Sequence, residues 1–252
     1  MPDAAAAPVG DQTSGVPFWD QARRSLLRRD PVLAGIIRAC GPARLQPRGD
    51  PFLTLARSVV GQQISVAAAQ TIWNRFEAAC GTVHPERVGR LRASTLTRCG
   101  LSGRKVEYLR DLAGRFRRGE IDPSRWQSMD DESVIAELTE VRGIGRWTAE
   151  MFLIFNLQRP DVLPLDDIGL LRAVALHYPP AEGSPGGAPA ARSASGGALA
   201  PGAQAAEQAG SAASRHRLNR VRAQALAERW RPWRSVATWY LWRSLDPVPV
   251  EY

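Results

Sequence analysis

Residues 138–174 read LTEVRGIGRWTAEMFLIFNLQRPDVLPLDDIGLLRAV, and the organisation of the chain is best followed outward from them. Gly143 and Gly145 flank Ile144, a spacing that lets the backbone turn tightly between two helices while Ile144 plugs the core beneath the turn. A glycine-flanked turn that opens a helix also leaves backbone N–H groups free to hold a phosphate. The same pattern marks ordinary packing corners, so its context decides its meaning. Downstream, the adjacent carboxylates Asp166 and Asp167 stand directly before another apolar, helix-forming run.

The flanking sequence is helical in character. FWDQARRSLLRRDPVLAGIIRAC (18–40) has apolar positions at helical spacing, and Asp30-Pro31 supplies a cap and first-turn signal that divides it in two. Pro51 to Val60 and Ser65 to Cys80 read as helices separated by Gly61-Gln62-Gln63. In GLSGRKVEYLRDLAGRF (100–116), Val106, Leu109, Leu112, Ala113 and Phe116 form one apolar face. Asp131 to Thr139, Trp147 to Leu157, Asp167 to His177, Leu218 to Trp230 and Trp233 to Trp242 complete the series. Alternation of the β type is scarce, so the expected class is all-α. Residues 1–16 read as a disordered leader before a folded domain at 17–252. Residues 179–214, almost wholly Ala, Gly, Pro and Ser, read as a flexible insertion within it.

Bulk properties bound the function. The 252 residues carry 33 Lys and Arg against 25 Asp and Glu, a net charge of +8 that favours a polyanionic partner such as nucleic acid. The preference for arginine suits bidentate phosphate contacts and equally suits a GC-rich genome. Cys40, Cys80 and Cys99 form no CxxC pair, which excludes a four-cysteine iron-sulfur cluster or a zinc site and leaves buried, reduced thiols. There is no basic segment followed by an apolar run at the N-terminus, and no stretch of about 18 apolar residues. The expectation is a cytoplasmic, monomeric protein with no membrane partner.

VRGIGRWTA (141–149) resembles the hairpin of the helix-hairpin-helix DNA glycosylases, and Asp167 stands where that family carries its catalytic aspartate. LARSVVGQQISVAAAQTIWNRF (55–76), GLSGRKVEYLRDLA (100–113) and ERWRPWRSVATWYLW (228–242) are similar to the 3-methyladenine DNA glycosylase II branch. The resemblance implies two packed helical subdomains with the active-site cleft between them. It also implies a bacterial, nucleoid-associated enzyme that excises alkylated purines from double-stranded DNA by base flipping. Only 50 residues precede Pro51, so the β-rich N-terminal domain of some members is expected to be absent.

Roles follow position by position from that resemblance. A carboxylate at Asp167 stabilises the positive charge that develops on deoxyribose as the base departs, or orients the attacking water. Members that also cut the backbone use a lysine nucleophile at the second position after the last hairpin glycine. Here that residue is Trp147, which implies a monofunctional enzyme without lyase activity. Trp147 and Trp242 match base-pocket positions, where electron-rich rings suit a cationic base, although core packing is the other reading. Met151 and Ile168 replace tyrosines of the family's best-known pattern and imply a less aromatic pocket. Gln63 matches the side chain that fills the vacated stack, or caps the Ser65 helix. Arg142, Gly143, Ile144, Gly145, Arg146 and Thr148 form the expected DNA-binding hairpin, with the arginines as phosphate contacts or solvated surface. No cofactor is expected beyond a structural Na+ or K+ at the hairpin carbonyls near Gly143 and Gly145. Asp166 is expected to cap the following helix or to interact with its dipole. The competing functions are a same-fold glycosylase for uracil, hypoxanthine or a mismatched base, and a non-catalytic DNA-binding module.

Overall fold

The computed structural model describes residues 16–179 and 214–245, residue 215 excepted. Among the described residues all regular structure is helical, as expected. In chain order the helices are α1 (Trp19–Arg29), α2 (Pro31–Cys40), α3 (Pro51–Gly61), α4 (Val66–Cys80), α5 (Pro85–Arg90), α6 (Ala93–Arg98) and α7 (Gly103–Arg118). They continue with α8 (Asp131–Thr139), α9 (Arg146–Phe155), α10 (Ile168–His177), α11 (216–227) and α12 (Arg234–Leu245). Short 3-10 turns cover Pro123–Ser128 and Glu228–Trp230. Helices α5 and α6 and the first 3-10 turn are too short to show a periodic pattern, which is why the sequence did not announce them. The expected leader and insertion lie largely outside the described residues. Val16, assigned to the leader, is instead only 2% exposed and belongs to the core.

Helix starts follow local chemistry. Asp30 accepts from the Val32 and Leu33 N–H groups with Pro31 at the first helical position. Asp50 caps α3, Ser65 α4, Ser102 α7 and Asp130 α8 in the same way. Each such cap stabilises its helix by about 1 kcal/mol.

Helices α1, α2, α10 and α12 pack together, so the two ends of the described chain share one subdomain, while α3 to α9 form the other. Asp30 helps to join the ends. Fully buried, it also accepts from the Tyr178 hydroxyl at 2.8 Å and the Trp230 indole at 2.9 Å. The apolar core runs continuously through both subdomains. At their junction the Asn156 side chain donates to the carbonyls of Arg48 (3.1 Å) and Gly49 (2.9 Å), and the Arg234 guanidinium clamps Asp161. No helix among the described residues is long and apolar enough to cross a membrane.

Candidate active site

Asp167 sits at the subdomain junction as the N-cap of α10. Its Oδ1 accepts from the Leu170 N–H at 2.6 Å and from Trp242 Nε1 at 2.7 Å, and its Oδ2 accepts from Trp147 Nε1 at 2.9 Å. Three N–H donors on three helices thus converge on one acid, and a carboxylate, which only accepts, satisfies them all. The acid is 8% exposed, whereas Trp147 beside it is 42% exposed. The Trp242 ring stacks on Phe155 with centroids 5.8 Å apart and planes 10° from parallel, and the Arg48 guanidinium lies 4.8 Å from the Phe155 centroid. Gly169 makes room for the Trp242 indole. A Cβ there would lie 3.1 Å from both Asp167 Oδ1 and Trp242 Cδ1.

The glycine turn runs from α8 into α9. Gly143 has φ +84°, and a Cβ on it would meet the Tyr108 ring at 2.2 Å, so both conformation and packing demand glycine. Ile144 is buried beneath the turn. Gly145 is the N-cap of α9 and brings no side chain to its first N–H groups. Around the turn, Asp111 accepts from the Arg142 N–H at 2.9 Å. Arg146 pairs with Glu132 at 2.8 Å and with the buried Glu150 at 3.0 Å. Burial pushes Glu150 up to about 7 despite the opposing Arg146 charge. The two glycine carbonyls are already engaged, Gly143 by Gln62 Nε2 at 2.8 Å and Gly145 by the Ala149 N–H at 3.0 Å.

A family model described as the HhH-GPD superfamily of base excision DNA repair proteins matches residues 56–187, which contain the hairpin, Trp147 and Asp167. The chain belongs to this superfamily. Among its curated HhH-GPD relatives, DNA-3-methyladenine glycosylase 1 of Schizosaccharomyces pombe is 36% identical over 134 residues, covering 51% of this chain and 58% of that protein. A Bacillus subtilis protein called a putative DNA-3-methyladenine glycosylase is 28% identical over 76% of this chain and 58% of its own. The chain therefore spans about three fifths of these relatives. Among solved HhH-GPD structures, a DNA-3-methyladenine glycosidase of Bacillus halodurans superposes with TM-score 0.69 at 28% identity, covering 89% of each chain. An S. pombe 3-methyladenine DNA glycosylase in complex with abasic DNA gives TM-score 0.67 at 26% identity, covering 92% of this chain and 98% of that one.

The HhH-GPD fold brings together Asp167, Trp147 and Trp242. Met151 lies one turn beyond Trp147 on α9, partly buried against the core, and Ile168 is 76% exposed beside the acid. Gln63 is exposed in the loop between α3 and α4, with φ +59°. It does not cap α4, since Ser65 does. Arg142 is exposed, Arg146 is neutralised by two acids, and Thr148 is buried. The capping role expected of Asp166 is corrected. Asp167 itself caps α10, while Asp166 forms an ion pair with Arg220. Sequence reasoning missed Phe155, Arg48, Gln62, Lys105 and Tyr108. Gly61-Gln62-Gln63 reads as a break between helices and 100–116 as an apolar helix face, and nothing local in either segment points to a neighbour so distant in sequence.

Proposed function

We propose that this chain is a monofunctional DNA glycosylase that hydrolyses the N-glycosidic bond of alkylated purines in double-stranded DNA. The observation that carries the reading is the Asp167 carboxylate, oriented by two indole N–H groups and a helix N-terminus beside the exposed face of Trp147. The names of the relatives support the substrate class, and the abasic-DNA complex of the S. pombe protein supports the partner.

The chemistry needs a group that stabilises a developing sugar cation. Asp167 Oδ1 already accepts two N–H donors, whereas Oδ2 accepts one and retains a lone pair for water or for the electron-poor C1′ face. An alkylated purine carries positive charge and leaves readily, so no strong general acid is required. Trp147 offers an aromatic surface to such a base. It also occupies the position at which a backbone-cutting member would place its amine, so water is the acceptor and the product is an intact abasic site. No step is assigned to a cation at the hairpin.

Release of 3-methyladenine and 7-methylguanine from methylated duplex DNA, identified by chromatography, tests the substrate class. Release of uracil or hypoxanthine alone would transfer the reading to another lesion. Borohydride trapping tests the acceptor. The expected result is no covalent adduct, and an adduct or strand cleavage without added alkali would overturn the monofunctional assignment.

A further inference from the structure

Helix α7 carries Lys105, Tyr108 and Asp111 three residues apart, a spacing that aligns them along one helix face. Each touches one of the two segments that the proposed function brings to DNA. Lys105 Nζ donates to the Val60 and Gln62 carbonyls, both at 2.8 Å, at the end of α3. The Tyr108 ring lies against Gly143, and Asp111 accepts from the Arg142 N–H. A direct tie joins the two segments, since Gln62 Nε2 donates to the Gly143 carbonyl at 2.8 Å across 81 positions of sequence. Gln62 is therefore held at both ends, its carbonyl by α7 and its side-chain amide by the hairpin. The next residue is Gln63, with its left-handed backbone.

We propose that Lys105 and Gln62 are positioning residues for base extrusion, coupling the Gln63 loop to the hairpin so that both engage the duplex as one rigid unit. The inference rests on the glycosylase reading above. A left-handed glutamine is disfavoured in isolation and persists only where its surroundings over-determine it. The two Lys105 bonds and the Gln62 bond are that constraint. Burial also holds the Lys105 pKa below that of a free lysine. Extrusion opposes base stacking and pairing, so a loop that must first be ordered would add its entropy to that barrier. A loop already locked to the phosphate-binding turn adds little.

The test compares single-turnover release of 7-methylguanine from a fully paired duplex and from a single-nucleotide bulge, where extrusion is easier. Lys105→Met and Gln62→Leu should slow the paired substrate by about tenfold or more and the bulged one by less than about threefold. Lys105→Arg, which keeps a cationic donor, should recover most of the loss. A purely structural role would slow both substrates in parallel, and that result, or no loss on either, overturns the proposal. A second measurement does not depend on catalysis. Fluorescence of 2-aminopurine opposite a tetrahydrofuran abasic analogue should rise on binding of the natural protein and rise less with Gln62→Leu. If the natural protein releases no base from either substrate, the glycosylase reading fails. The fluorescence comparison still decides the coupling, because an undiminished rise with Gln62→Leu overturns it.

Discussion

Trp242 Nε1 lies 2.7 Å from Asp167 Oδ1, joining the last turn of α12 to the N-cap of α10. A hydrogen bond to a charged acceptor is worth about 1.5–3 kcal/mol. Trp242→Phe keeps a ring against Phe155 and removes the donor, so excision should fall by roughly 10- to 100-fold in single-turnover rate. An unchanged rate would mean that the indole only packs.

The two adjacent aspartates should separate cleanly. Asp167→Asn replaces one acceptor oxygen with an NH2 group facing an N–H donor, and it also removes the charge. Excision should fall by about 100-fold or more, and the protein should lose about 1–3 kcal/mol of stability. Asp166→Asn loses only the partly exposed pair with Arg220, worth less than about 1 kcal/mol, and should excise at nearly the natural rate. Excision rates and denaturant midpoints of both variants check this, and an inactive Asp166→Asn beside an active Asp167→Asn would reverse the assignment.

The hairpin glycines should differ in kind. Gly143→Ala drives a Cβ into the Tyr108 ring at a positive φ and should destabilise the fold by about 2–4 kcal/mol. Gly145 has φ −92°, and a Cβ there meets nothing within 4 Å. Gly145→Ala should keep native stability and lose about tenfold in duplex affinity, because the added methyl occupies the space of a bound phosphate. Thermal melts beside fluorescence anisotropy measure both effects, and natural affinity in Gly145→Ala would remove the phosphate from this turn.

Glu150 predicts a pH dependence. Its folded value of about 7 lies above the ordinary 4.5, so the folded state holds the extra proton between those limits. Stability from this group is fully present below about pH 4.5 and is lost as pH rises through 7, by about 3 kcal/mol. Glu150→Gln should remove that slope and gain stability over the natural protein at pH 8. Urea midpoints at pH 5 and pH 8 give the comparison, and parallel profiles for the two proteins would contradict it.

The local chemistry of the chain was open to reading from its residues. Asp30-Pro31, Ser65 and the apolar stripe of α7 act within four residues of themselves, so their caps and faces follow from helix geometry alone. The glycine turn and Asp167 were legible for the same reason, helped by resemblance. Partnership was not. Trp147 and Trp242 reach Asp167 from 20 and 75 positions away, Arg146 finds Glu132 from 14, and Gln62 finds Gly143 from 81. Only the packing of α3, α8, α9, α10 and α12 brings these groups within about 3 Å, the range in which a hydrogen bond exists at all. The candidate acid is therefore named by a motif within the sequence, while the donors that aim it, the acids that quench Arg146 and the brace behind Gln63 are decided by the tertiary fold.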